Sequence, residues 1–204
     1  MGTITGQNIL DRQRDLLQDV DVVRWSNTEV LRWLNDGIRE AVKIKPTSYA
    51  TRSAATLGAG TRQTLAGLGF TTGYRILDVT ANLDTDGTTL ESAITPADLR
   101  SLDRFEPSWR TKTGTSVKHW SPIPEDPKAF HVYPASSGKK VEVQVARTPP
   151  EMSVLSQAIP LDDIYANALG YYLAFRMYSK DTDEATNAAA SQAYYTLFTQ
   201  SLGG

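Results

Sequence analysis

Two histidines, His119 and His131, are the residues best suited to move a proton, because imidazole titrates closest to neutral pH. Each falls in a β-prone run, and no second imidazole stands at the helical spacing of a zinc site. A strand face or a protein contact is therefore their expected setting, ahead of general-base chemistry. The chain has no cysteine, which removes thiolate ligands, cysteine nucleophiles and disulfides and fits a reducing compartment. No serine sits in Gly-x-Ser-x-Gly. Gly58-Ala59-Gly60 opens like a dinucleotide fingerprint, but Gln63 stands where the third glycine belongs, and a β-turn is expected instead. Asp84-Thr85-Asp86-Gly87 begins like a calcium loop. Thr95 occupies the position where that loop needs glutamate, which leaves a polar turn.

Adjacent carboxylates occur at Glu125-Asp126, among prolines, and at Asp162-Asp163, where the first turn of a helix favours negative charge. Neither pair argues for glycoside hydrolysis. Arg100, Arg104, Arg110, Lys112 and Lys118 interleave with Trp109 and Trp120, a pattern that can bind single-stranded nucleic acid. Asp98, Asp103 and Glu106 dilute it, so a mixed-charge surface or protein interface is preferred. Catalytic residues, cofactor and metal are all expected to be none.

Bulk composition points the same way. The 204 residues carry 21 basic and 23 acidic side chains, a net charge of −2, with 40% hydrophobic and 22% charged residues. That describes a soluble globular protein without the basic footprint of a nucleic-acid binder. The N-terminus shows no leader of basic then apolar residues, and no apolar run nears the roughly 20 residues of a membrane span. Charge is uneven: residues 1–46 carry seven basic and seven acidic side chains, residues 47–150 twelve and ten, and residues 151–204 two and six.

The elements that must position these residues fall into three stretches. Ile9, Leu10, Gln13, Leu16, Leu17 and Val20 recur at helical spacing and predict a helix from Gly6 to Asp19. Ser26-Asn27-Thr28-Glu29 has the form of a capping box, with Trp25 and Val30 placed as a hydrophobic staple. Leu31, Leu34, Ile38, Ala41 and Lys45 continue that second helix until Pro46 stops it. From Thr47 the helical period vanishes. Strands are expected at Ala50–Leu57, Arg62–Leu65, Tyr74–Asn82, Val117–Pro122, Phe130–Tyr133 and Lys140–Arg147, with a short helix within Pro96–Trp109. Val141, Val143 and Val145 alternate with Glu142, Gln144 and Ala146. Ser136-Ser137-Gly138 has the residues of a hairpin turn joining the last two runs.

Residues 161–201 close the chain with a helical hairpin. Leu161, Ile164, Ala168, Tyr171, Phe175 and Tyr178 line one side of its first helix, and Tyr165, Leu169, Tyr172 and Met177 fill much of the other. A helix apolar nearly all round needs cover on more than one face. The expectation is that Leu161, Ile164, Ala168 and Phe175 close a bundle with Leu34 and Ile38, while Tyr165, Tyr172 and Arg176 meet a neighbouring subunit. Asp181 and Glu184 permit a capping box at the break. Alanines of the last helix, with Gly170 opposite, are expected to let the two helices approach closely. The fold class is thus α+β: a bundle from residues 1–46 and 151–204, with an antiparallel β lobe, residues 47–150, inserted between its halves.

Three pieces of the chain, in this order, resemble the phage head-to-tail adaptor, or connector, family. They are Leu17-Gln18-Asp19 with Arg24-Trp25-Ser26 and Glu29 to Asp36; Phe130-His131-Val132-Tyr133-Pro134 with Val141-Glu142-Val143; and Arg176-Met177-Tyr178-Ser179-Lys180-Asp181. The resemblance implies a non-enzymatic structural virion protein of the neck, made in the host cytoplasm. Copies would form a homo-oligomeric twelvefold ring between the portal protein and a tail or nozzle protein, continuing the DNA channel without sequence-specific binding or membrane contact. An acidic C-terminal part would suit a channel through which DNA slides. Some adaptors reach the portal with a long C-terminal arm, whereas this sequence stops at Gly204. The alternative is a tail-associated binding module whose β lobe recognises a protein or glycan through Trp109, Trp120 and Tyr133.

Overall fold

The computed structural model describes residues 2–17, 24–180 and 185–203. Its chain falls into two compact units, Met1–Tyr49 with Pro149–Gly204, and Ala50–Thr148.

The first unit is helical. Helix α1 spans Gly6–Leu17 and α2 spans Asn27–Ile44. Ser26 caps α2 as its sequence requires, its Oγ accepting from the Glu29 amide at 3.3 Å. The reciprocal half of the box is not made, because both Glu29 carboxylate oxygens take Lys180 Nζ at 2.8 Å. Trp25 and Val30 are both buried. The Lys45 amide returns to the Ala41 carbonyl, and Pro46 opens a single 3₁₀ turn.

After a 3₁₀ turn at Asp163–Tyr165 come α4, Ala166–Lys180, and α5, Ala185–Ser201. Helix α4 is the centre of this unit and packs against α1, α2 and α5. Three neighbours explain a helix that is apolar nearly all round without recourse to another chain. The sides differ from the expectation. Leu161 and Ala168 are buried, but Ile164 is 75% exposed, while Tyr165 and Tyr172 are buried at 8% and 7%. Tyr172 lies against α2 at Gly37 and meets Phe175 and Phe198 edge-on, with ring centroids 5.5 and 5.1 Å away. Arg176 is half-buried, its guanidinium 5.8 Å over the Trp33 ring.

The hairpin also closes differently. Ala188, Ala189 and Ala193 face solvent, and α5 meets α4 through Ser191, Tyr194, Tyr195 and Phe198. Gly170 faces α1, where an added Cβ would sit 2.9 Å from Gln13 Nε2. The capping box expected at Asp181 and Glu184, and the end of the first helix at Asp19, lie outside the described residues. An unforeseen tie joins the start of the chain to this unit. Residues 2–7 run antiparallel to residues 155–161 through Gly2, Gly6, Gln7 and Ile159 amides. Asp163 holds that strand by accepting from the Thr3 and Ile4 amides at 2.7 and 2.9 Å.

Gly37 is the closest approach in this packing. A Cβ there would stand 2.7 Å from Tyr172 Cδ1, and that ring is held by Phe175 and Phe198. Gly37→Ala gains up to about 1 kcal/mol of helix propensity, whereas overpacking costs about 1–3 kcal/mol. A net loss of up to about 2 kcal/mol is expected in denaturant unfolding; a gain would show that the ring yields freely.

The second unit carries strands β1 Ala50–Thr56, β2 Arg62–Thr64, β3 Gly73–Leu83, β4 Leu90–Ala93, β5 Thr95–Pro96, β6 His119–Ile123, β7 Asp126–Tyr133 and β8 Lys140–Arg147, with α3 at Leu99–Phe105. They form two four-stranded sheets, β1-β8-β3-β4 and β2-β7-β6-β5. Every pairing is antiparallel except β5 with β6. Both sheets feed one core. Val141, Val143 and Val145 of β8, all fully buried, cluster with Ile76 and Val79 of β3, Trp120 of β6 and Phe130 and Val132 of β7. The alternation read in β8 is the inward face of that core.

Ser136-Ser137-Gly138 does not close a hairpin. β7 pairs with β2 and β6, and β8 pairs with β1 and β3, so this turn carries the chain from one sheet to the other. Its residues are those of a tight turn, with Gly138 at φ +79°, and a turn of that type serves a crossover as well as a hairpin. Strands β4 and β5 were not expected. All four residues of β4 are exposed, so no alternation marks it, and β5 has only two residues, one of them proline.

Candidate interaction surface

The side chains with catalytic potential are engaged in packing. His119 lies parallel to Tyr133, ring centroids 6.2 Å apart, with Nδ1 2.7 Å from Thr95 Oγ1. His131 is half-buried and meets Trp109 edge-on at 5.2 Å. Burial pushes its imidazole pKa down, and the nearby Arg110 and Arg62 charges push the same way. His131 is therefore neutral at pH 7. Among the described residues no group of three or more His, Asp or Glu gathers to hold a metal ion.

The three motifs that resembled chemistry are loop closures. Gln63, buried at the end of the glycine turn, accepts from the Gly58 amide at 2.8 Å and donates to the Gly58 and Gly60 carbonyls at 3.2 and 2.9 Å. Asp126 pairs with Arg62 at 2.9 Å. Asp84 Oδ1 accepts from the amides of Gly87, Thr88 and Thr89, as a polar turn should.

The amides of Thr88, Thr89 and Gly87 hold the Asp84 carboxyl down at about 2, against an ordinary 3.8. A carboxyl depressed on folding stabilises above its unfolded value and loses that contribution as pH falls through the folded one. Asp84 thus contributes fully above pH 4 and progressively less from pH 4 to pH 2. Asp84→Asn should flatten the stability profile in that window, read as denaturant midpoints at pH 5, 3 and 2. An unchanged slope would show that the turn does not depend on the charge.

The basic, aromatic stretch is a built element. Trp109 is fully buried, and its indole N–H donates to Asp103 Oδ1 at 2.8 Å. Arg110 donates to the same oxygen at 2.5 Å and lies 4.5 Å over the Trp109 ring. Arg110 and then Trp109 hold the Asp103 carboxyl below its ordinary range. Lys112 and Ser108 do the same for Glu106, each 2.9 Å from its carboxylate. Of the acidic residues that diluted this stretch in sequence, Asp103 and Glu106 are thus neutralised by Arg110 and Lys112, while Asp98 stays exposed. Trp120 is 6% exposed and packs edge-on against Phe130, and Tyr133 is half-buried. Trp109 and Trp120 are core residues of their unit and present no face to a partner.

A family model for SU10 adaptor proteins matches residues 4–204, nearly the whole chain. The chain belongs to that family. A search of curated proteins found no match. Membership in a phage adaptor family makes this a structural virion protein. No described helix is long and apolar enough to cross a membrane.

An adaptor-family protein acts through its surface, so its exposed apolar side chains matter most. Among the described residues these are Leu16, Val154, Ile164 and Leu197 in the helical unit, and Leu90 and Phe105 in the β unit. Sequence reasoning singled out none of the six as exposed, and it placed Leu16 and Ile164 on stripes facing the inside. Periodicity assigns an apolar residue to the inside, and only the packing shows which are left outside. For Phe105 a signal existed: it ends the run Leu-Asp-Arg-Phe-Glu, an aromatic with a charge on either side.

Proposed function

We propose that this protein assembles as a ring of identical subunits that joins the portal to the tail and continues the DNA channel. The family match over residues 4–204 carries this reading. Subunit contacts in such a ring are heterologous, each copy offering two different patches. The expected contacts at Tyr165 and Tyr172 no longer have a physical basis, since both rings are covered within their own unit. Arg176, half-buried beside Trp33, and the exposed apolar side chains take their place. Portal and tail are the partners, and DNA passes without sequence-specific contacts, in line with a net charge of −2.

Light scattering on the purified protein, alone and mixed with the portal of the same phage, tests this. The expected result is a complex heavier than the portal by a multiple of 22.4 kDa, matching the portal's symmetry. A chain that stays monomeric and never joins the portal overturns the reading, and one that instead binds only a tail protein establishes the tail-associated module.

A further inference from the structure

Phe105 is the most exposed large apolar side chain among the described residues, at 80%. It ends α3, an element held rigidly by the buried Trp109, by the Asp103–Arg110 pair and by the Glu106–Lys112 pair. With Asp103 and Glu106 engaged, exposed Asp98 at the start of α3 leaves a net single positive charge, carried beside Phe105 by Arg100 and Arg104. Both are exposed and neither has an ion-pair partner among the described residues; the Arg104 guanidinium lies 5.7 Å over the Phe105 ring. An aromatic and two arginines on a preorganised support have the composition of an interface anchor.

The helical unit carries a matching socket. A groove of about 240 Å³ is lined by Gly2, Pro150, Met152, Ala158, Ile159 and Pro160. A cavity of roughly 150 Å³ already takes a benzene ring, so this one can take a phenyl group. Charge is complementary as well. Residues 149–175 hold Glu151, Asp162 and Asp163 and no Lys, Arg or His; Arg39 Nη1 takes Glu151 at 2.5 Å, which leaves Asp162 as the exposed carboxylate without an ion-pair partner among the described residues. Glu151 and Asp162 are exposed at the two ends of the segment that forms the groove, and Val154 and Ile164 add apolar surface at 53% and 75% exposure.

We propose that Phe105 of one copy seats in the Pro150–Pro160 groove of the next, with Arg100 and Arg104 facing that copy's Asp162. The proposal rests on the ring reading and assigns it the two patches that a heterologous contact requires. Plug and socket are different surfaces of one chain, so the contact repeats from copy to copy.

The absence of natural cysteines makes the contact directly testable. Chains carrying Phe105→Cys are mixed with chains carrying Ala158→Cys in the presence of portal and treated with a short bismaleimide. A linked heterodimer is expected, with neither variant linking to itself. In parallel, Phe105→Asp should raise the concentration needed for assembly on the portal at least tenfold. Its unfolding midpoint should not move, because the ring is exposed. If wild-type protein assembles and Phe105→Asp assembles at the same concentration, or Phe105→Cys links only to itself, the proposal falls and the ring reading stands. If wild-type protein never assembles, both fall. If Arg100→Glu with Arg104→Glu abolishes binding to a DNA duplex but leaves assembly unchanged, the surface contacts nucleic acid and the proposal is overturned.

Discussion

Asn82→Leu is expected to destabilise the β unit by roughly 2–6 kcal/mol, one of the largest losses any single polar residue here can produce. Asn82 is fully buried in β3 and treats Val117 as a strand neighbour would. Its Oδ1 accepts from the Val117 amide at 2.9 Å and its Nδ2 donates to the Val117 carbonyl at 2.7 Å. Val117 leads into β6, so this amide ties the first sheet to the second. Leucine has the branching and heavy-atom count of asparagine and leaves no cavity, but it orphans one buried donor and one buried acceptor, each costing about 1–3 kcal/mol. Urea unfolding followed by circular dichroism reads the loss. Ser92→Ala removes only a secondary partner of the same Nδ2 and should cost little. Equal effects from the two substitutions would place the stabilisation in the Ser92 contact instead.

The same device recurs in the helical unit, where buried Asn35 donates to the Met152 carbonyl at 3.0 Å and accepts from its amide at 2.9 Å. Gln63 repeats it on Gly58. These three residues show what one-dimensional reading misses. A polar side chain in a helix or strand is ordinarily assigned to solvent, and only tertiary structure reveals that its amide completes a backbone ladder. What was legible came from local rules: the Ser26 cap, the stop at Pro46, the inward valines of β8, the short helix before Trp109. These depend on a few neighbouring residues and on periods of 3.6 and 2. What failed depends on the partner. Ile164, in the 3₁₀ turn before α4, and Tyr172, on α4, both read as apolar positions, so the sequence does not say that Ile164 points out while Tyr172 points in; the small Gly37 of α2 makes room for Tyr172. The crossover at Ser136-Ser137-Gly138 has the residues of a hairpin, and the pairing of β8 with β1 and β3 overrides it. At the candidate surface, sequence located the Arg100–Lys118 stretch but took Trp109 for its exposed feature. Tryptophan has the larger apolar area and is the costlier ring to leave in water, and it went inside while Phe105 stayed out.

Trp109→Ala should be the most damaging single truncation in the β unit, with a loss of about 3–5 kcal/mol from the missing apolar contacts and the cavity left behind. The side chain is fully buried, meets His131 edge-on and lies under Arg110. Differential scanning calorimetry should show a lower midpoint for this unit. Trp109→Phe keeps a ring in the site and loses the N–H bond to Asp103, so its effect should be clearly smaller. Truncation also separates two roles of this residue. Asp103 is tied to both Trp109 and Arg110, so removing the indole unfastens the α3 segment locally as well as weakening the core. Local unfastening exposes a segment to protease before the unit unfolds globally. Limited proteolysis of Trp109→Ala at temperatures below its midpoint should therefore cut after Arg100 or Arg104 first. Cleavage distributed evenly over the unit would show that Trp109 supports the core alone, and that α3 keeps its shape without it.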